Sequence, residues 1–281
     1  MGERGSAAIE ARLRACAGER AAFIPFVTAG DPDFDASCDI ILRLAAFSDV
    51  IEIGIPYSDP LADGPAIQAG SLRALAAGMT MPRALELIRR ARAQTDVPLI
   101  AFTYINPVLQ FGFARFAAAC RGAGADGIIV PDLPHEESFE LRAAAEEQGL
   151  ALIPLLALTS RERVRRIAAA ARGFVYCVSS LGVTGERSGF APELRAFVEA
   201  AKAASRAPVA VGFGVSRPEH VRELSAYADG VIVGSALVRL CGRVGEALAA
   251  GDRAEAARRG EALAAFAKSL ADAGVREERA T

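Results

Sequence analysis

The sequence predicts an α/β protein built as a closed (β/α)8 TIM barrel, with an extra N-terminal helix and a C-terminal helix. Three observations lead there. Eight short runs rich in Val, Ile and Phe recur along the 281 residues, each followed by loop residues. Between them lie longer Ala/Arg/Glu/Leu stretches of helical character, and strands that alternate with helices imply βαβ units and a parallel sheet. No composition break or linker divides the chain, whose length suits one barrel of ~250 residues. An open doubly wound sheet is the alternative, and the count of eight favours the barrel.

Taken in order, segment 1–18 carries Ile9, Leu13 and Cys16 on one helical face and is expected to plug the barrel bottom. The strand runs are AAFIPFV (21–27), DVIEIGI (49–55), VPLIAFTY (97–104), DGIIVPD (126–132), LALIPLL (150–156), GFVYCVS (173–179), APVAVGFG (207–214) and DGVIVGS (229–235). Helical segments between them include Met81–Gln94, His135–Gln148, Arg161–Ala171, Pro192–Ala204 and Pro218–Ala226. Residues 252–281 form a terminal helix (252–273) and a tail. The whole, 1–281, reads as a single barrel domain.

Hydrophobic residues make up 52% of the chain and charged residues 23%, enough for a substantial core. The 32 basic and 34 acidic residues leave a net charge of −2, with no Lys/Arg block to track phosphates, so no nucleic-acid partner is expected. The opening MGERGSAAIEARLRACAG lacks the apolar core of a secretory signal, and no apolar run reaches the ~18 residues of a membrane span. A cytoplasmic protein without a membrane partner is the expectation. The five cysteines, at 16, 38, 120, 177 and 241, never fall in CxxC, which points to reduced thiols rather than a disulfide framework or a zinc site.

In such a barrel function sits on the loops that follow the strands, here 28–33, 54–66, 103–112, 131–135, 178–191, 212–218 and 234–236. Two acids stand out in VIEIGIPYSDPLADGP. Successive strand side chains alternate between barrel interior and helix layer. With Ile51 and Ile53 meeting helices, Glu52 faces the interior near the C-terminal mouth, where desolvation raises its pKa towards the range useful for proton transfer. A structural Glu paired with a buried Arg is the competing account. Asp63 sits in a Gly/Pro-rich loop that can close over a ligand, or it simply makes an Asx-turn before Gly64. Asp59, before a proline, reads as a turn starter. By the same alternation Phe174 and Tyr176 point one way and Val175 and Cys177 the other. The Tyr176 hydroxyl is thus either a hydrogen-bonding group at the mouth or part of an ordinary barrel-lining aromatic.

Three glycine-bearing loops cluster late: SSLGVTGERSGF (179–190), VGFGVSRPE (211–219) and VGSALV (233–238). The last two follow the seventh and eighth strands, where barrels of this class hold a substrate phosphate on backbone N–H groups and a helix N-terminus. Gly234-Ser235 before an apolar helix fits, although Ser is also a good N-cap. Neither GxGxxG nor GxxxxGK[ST] appears. Lys202 and Lys268 are the only lysines, and neither lies on a strand, so a Schiff base is disfavoured. His135 and His220 form no cluster, and no metal motif appears. Acid–base chemistry by carboxylates on a phosphorylated small molecule is what remains.

The stretches PFVTAGDPD (25–33), IEIGIPYSDPLADGPAIQ (51–68), YINP (104–107), VPDLPHEES (130–138), YCVSSLGVTG (176–185), VGFGVS (211–216) and VGSALV (233–238) occur in order nearly from end to end. They resemble the tryptophan synthase alpha subunit family. The one varied segment is GERSGF (185–190), after the Thr184-Gly185 pair. The resemblance implies a (β/α)8 lyase that cleaves indole-3-glycerol phosphate to indole and glyceraldehyde 3-phosphate, without a metal or a cofactor of its own. It implies catalytic Glu52 and Asp63, with Tyr176 at the mouth. It implies phosphate binding by backbone around Gly185, Gly214, Gly234 and Ser235, and an indole pocket of Phe23, Thr184 and Phe213. The family pairs with a pyridoxal-phosphate beta subunit, expected as α2β2, and loops near Pro56, Asp59 and Asn106 would face it. Rival expectations are a stand-alone indole-releasing lyase, a non-catalytic barrel that activates a partner synthase, and a sugar-phosphate isomerase. Retention of both acids counts against the second, and an aryl pocket against the third.

Overall fold

The computed structural model describes residues 4–160, 163–178, 190, 193–212 and 214–276. Nine strands lie among them: β1 (Ala22–Thr28), β2 (Ile51–Gly54), β3 (Leu99–Phe102), β4 (Gly127–Ile129), β5 (Ala151–Leu152), β6 (Leu155–Ala157), β7 (Val175–Val178), β8 (Val209–Gly212) and β9 (Gly230–Val233). They form one sheet in the order β5-β4-β3-β2-β1-β9-β8-β7-β6, and every neighbouring pair is parallel. Eight expected strands and nine observed ones describe the same ring. The fifth run breaks at Pro154, which has no N–H to give a ladder. The chain itself bridges the break: Ile153 N donates to Ile128 O at 2.9 Å, and Pro154 O accepts from Tyr176 N at 3.0 Å.

Side-chain alternation divides the wall into two apolar clusters. The inner one holds Ala22 and Ile24 of β1 with Ile100, Ile129, Phe174, Tyr176, Ala210 and Ile232. The outer one takes Phe23 and Val27 of β1, Ile51 and Ile53 of β2, and Val175 and Cys177 of β7 against the helices. The helix Ser6–Ala15 closes the bottom as expected, because Ile9, Leu13 and Cys16 belong to the inner cluster. Its start is anchored by Gly5 N donating to Asp126 Oδ1 at 2.7 Å, and Asp126 also accepts from Arg92 and from Leu99 N.

The expected helices appear with shorter bounds: Met81–Arg92, Glu193–Ala204, Pro218–Ser225 and Arg253–Asp272. Val164–Ala169 replaces the longer helix expected from residue 161, which itself lies outside the described residues. The segment from His135 divides into a 3-10 turn (His135–Glu137) and a helix (Phe139–Glu147) at Ser138, whose hydroxyl bonds back to His135 O at 2.7 Å. Residues 103–112, expected as loop, contain the helix Ile105–Phe111. Pro107 reads as a breaker, but it falls in the first turn, where no N–H is needed. Asp132 supplies the missing start signal by accepting the Ile105 N–H at 2.9 Å.

Candidate active site

Glu52 extends from the middle of β2 into the barrel interior and is 1% exposed. Its Oε1 has no hydrogen-bond partner among the described residues. Among those residues no ion pair to an Arg offsets its burial. Burial pushes its carboxyl well above the ordinary Glu range. A buried acceptor without a partner is costly in a folded protein and calls for an explanation such as a ligand.

The space above Glu52 depends on small residues that follow the same parity. Gly54, two positions on, also faces inward, and a Cβ there would lie 2.4 Å from Cζ of Phe26. Gly212 leaves room for Tyr176: a Cβ there would lie 2.3 Å from the hydroxyl oxygen. Phe26 meets Phe102 edge to face, with centroids 5.3 Å apart at 81°. These rings form one wall of a cavity, which Ile67, Val215 and Ile232 also line. Glu52, Asp63 and Tyr176 are among its polar lining groups. Gly214, Ser216, Gly234, Ser235 and Arg239 line it as well.

Asp63 reaches the cavity from the loop between β2 and the helix Pro65–Ala76. Burial raises its carboxyl to about 6, and a hydrogen bond from Tyr104 opposes that rise. Ala62 N donates to the same Tyr104 hydroxyl at 3.1 Å. The Tyr176 hydroxyl is pushed well above its usual range, first by burial and then by the charges of Glu52 and Asp63. It is therefore a neutral group at any working pH.

Gly234, also in the lining, caps the helix Ser235–Ala249. Its first turn presents backbone N–H groups and the positive end of the helix dipole, a ready anion site. Gly214 stands beside it at φ +82°, a conformation glycine adopts without strain. Arg239, one turn along the helix, adds a full positive charge. One cavity thus brings together two buried carboxyls, a helix N-terminus that can bind an anion, and aromatic and aliphatic walls.

Six residues expected in the site do share this cavity: Glu52, Asp63, Tyr176, Gly214, Gly234 and Ser235. Phe23 does not, and that expectation is corrected. Its ring lies in the outer cluster, 6.4 Å from Phe47, because Ala22, Ile24 and Phe26 are the inward residues of β1. Phe26, in register with Glu52, takes the place on the cavity wall. Thr184, Gly185 and Phe213 lie outside the described residues. Pro56, Asp59 and Asn106 sit at the rim, where Asn106 Nδ2 donates to the Tyr57 hydroxyl at 2.9 Å. Leu61, 85% exposed, and Leu109, 57% exposed, stand on the same two segments.

Sequence reasoning missed Phe26, Phe102, Ile232, Ile67, Tyr104 and Arg239. Strand parity alone finds the first three. Arg239 follows from Ser235 by one helical turn, and Ile67 and Tyr104 carried no signal of their own. Both lysines are engaged in the helix layer, Lys202 with Asp229 at 2.6 Å and Lys268 with Asp272 at 2.6 Å. No cluster of His, Cys, Asp and Glu suited to a metal occurs among the described residues. No described helix is long and apolar enough to cross a membrane.

Comparison with known proteins adds to this geometry. The family model described as "Tryptophan synthase alpha chain" matches residues 13–271. The tryptophan synthase alpha chain of Geobacillus kaustophilus is 52% identical over 251 residues, 89% of this chain and 93% of that one. That of Shouchella clausii is 52% identical over 239 residues, 84% and 89% of the two chains. Among solved structures, a chain of Mycobacterium tuberculosis tryptophan synthase superposes with a TM-score of 0.83 at 35% identity, covering 98% of this chain and 100% of that one. A chain from the tryptophan synthase α2β2 complex of Pyrococcus furiosus gives 0.80 at 38% identity, covering 90% and 98%.

Proposed function

The chain belongs to the tryptophan synthase alpha chain family, and on that footing we propose that it is the carbon–carbon lyase that splits indole-3-glycerol phosphate into indole and glyceraldehyde 3-phosphate. The observation that carries the reading is the composition of the cavity. A buried carboxyl whose Oε1 lacks a partner among the described residues shares it with an anion-binding helix terminus and aromatic walls. A substrate that combines an aryl ring with a phosphate suits that set of groups.

The chemistry follows from protonation states. Glu52, whose carboxyl burial pushes well above the ordinary Glu range, delivers its proton to indole C3. Positive charge then develops on the ring nitrogen, and the Asp63 carboxylate stabilises it by accepting the indole N–H. Glu52, now a carboxylate, takes the proton of the hydroxyl on the carbon attached to C3. The C–C bond breaks, its electron pair returns to the indole ring, the hydroxyl carbon becomes the aldehyde of glyceraldehyde 3-phosphate, and Glu52 ends as it began. Tyr176, neutral and beside both acids, orients the ring. Gly214, Gly234 and Ser235, with Gly185, hold the phosphate by backbone N–H groups, and Arg239 adds charge there. Thr184 and Phe213 join Phe26 and Phe102 in enclosing the indole.

No step calls for a metal or cofactor in this chain. The partner we propose is the pyridoxal-phosphate beta subunit, in an α2β2 assembly in the cytoplasm, docked on the rim that carries Pro56, Asp59 and Asn106. Indole release from indole-3-glycerol phosphate by the purified chain, with and without a beta subunit, tests the whole reading. Slow release alone and a large rise with the partner support it. Fast release alone makes the chain an independent lyase, and no release in either condition sinks the enzymatic assignment.

A further inference from the structure

Tyr104 stands where β3 gives way to the helix Ile105–Phe111 and is 3% exposed. Its hydroxyl accepts the Ala62 N–H at 3.1 Å and donates to the Asp63 carboxylate. A phenol has one proton to give, so this hydroxyl is committed to two adjacent residues of one loop. The ring packs on Tyr57, from the start of that same loop, with centroids 5.5 Å apart at 33°. Tyr57 is held in turn by Asn106, two residues beyond Tyr104. Asp132 fixes the beginning of the helix by accepting from Ile105 N. Loop 55–64 is therefore fastened to the end of β3 at both its ends, and Tyr104 makes three of those contacts.

We propose that Tyr104 is a positioning residue for the reaction: it holds the loop across the cavity mouth and presents the Asp63 carboxylate as a hydrogen-bond acceptor for the substrate. The proposal rests on the reading above, in which Asp63 accepts the indole N–H. Glu52 from β2, Tyr176 from β7 and Arg239 line the same cavity, and the Asp132 charge acts on Tyr104 from the loop after β4. Of the groups acting on Asp63, burial raises its carboxyl and the Tyr104 hydrogen bond lowers it. Without that bond the rise goes unopposed, and more of the carboxyl is protonated near neutral pH, where it no longer accepts.

The test compares the full-length wild type, Tyr104→Phe and Asp63→Asn. One readout is kcat/KM for indole-3-glycerol phosphate cleavage from about pH 5.5 to about pH 9. The other is a carbon-13 NMR titration of the ligand-free protein, with the Asp63 signal assigned by its loss in Asp63→Asn. In Tyr104→Phe we expect the Asp63 midpoint to move up from about 6, by about one pH unit for the loss of a hydrogen bond to a charged group. The fractional activity deficit should then be largest at the acid end of that range and shrink above about pH 8. A purely structural tyrosine would give the same fractional loss at every pH. An unchanged Asp63 midpoint with a pH-independent deficit, while Asp63→Asn stays strongly impaired, overturns the role of Tyr104 alone. Near-wild-type turnover by Asp63→Asn overturns the underlying reading and the proposal with it.

Discussion

Glu52 and Asp63 are both acids whose carboxyls are raised by burial, yet they are held in opposite ways. Glu52 projects from a strand paired on both sides, with β1 at Phe26 and with β3 at Ile100, and its Oε1 meets no donor among the described residues. Its position is set by the strand that carries it. Asp63 rides a loop, and its position comes from hydrogen bonds, chiefly through Tyr104. A rigid wall suits a group that must shuttle a proton between two fixed atoms. A loop suits one that must let substrate in before contacting it. The cost differs as well, since Glu52 Oε1 is buried without a hydrogen-bond partner among the described residues.

That contrast makes its sharpest prediction at Glu52. Glu52→Gln keeps the shape and removes the proton, so cleavage should fall by ~10² to 10⁴-fold, the range for loss of general acid–base catalysis. Stability should move the other way. A carboxyl raised in the folded state binds its proton more tightly there than in the unfolded chain, so wild-type stability falls as pH climbs from the ordinary Glu range towards the raised folded value. Glu52→Gln lacks that dependence, and its melting temperature relative to wild type should rise between pH 4 and pH 8. A variant less stable than wild type at pH 8 would mean that Glu52 has a stabilising partner and that the contrast with Asp63 is false.

Asp63→Asn should cost less, ~10²-fold, because it removes charge stabilisation and no transferred proton. The acid limb of the wild-type pH profile belongs to this residue: below about 6 the carboxyl is protonated and cannot accept. The variant should lose that limb, and a profile that keeps it would assign the limb elsewhere. Smaller again is Arg239→Gln at the anion site. One exposed charge is worth ~1 kcal/mol or less. KM should rise up to about fivefold with little change in kcat, and added salt should shrink the difference.

The two regions were not equally legible. The strand wall followed from periodicity, because a period of two fixes the facing of every residue once one is placed. Ile51 and Ile53 placed Glu52, and the same rule placed Tyr176. Pro154, visible in LALIPLL, marked the broken fifth strand. The loop gave less away. Nothing in YSDPLADGP shows that Asp63 would meet a tyrosine forty-one positions on, since that contact is made by the β2–β3 pairing and by a helix cap from Asp132. Contacts set by long-range pairing leave no local pattern to read. Fold and family were legible from motif order, whereas the wall of the indole pocket was read one register out.

That last error yields the smallest prediction. Phe23 was expected beside the indole, but β1 turns it outward against Phe47 and turns Phe26 inward against Phe102. The two rings are three residues apart on one strand, so parity must separate them. Phe23→Leu should lower stability by about 1 to 2 kcal/mol, as a buried ring gives way to a smaller side chain, and leave KM unchanged. Phe26→Leu should instead raise KM, because it removes substrate-facing surface from the cavity. If denaturant melts and KM values came out the other way round, with Phe23 controlling KM, the facing of β1 would be reversed. The parity that places Glu52 through its pairing with Phe26 would then fail with it, so a variant with almost no expected effect on activity checks the register on which the largest one depends.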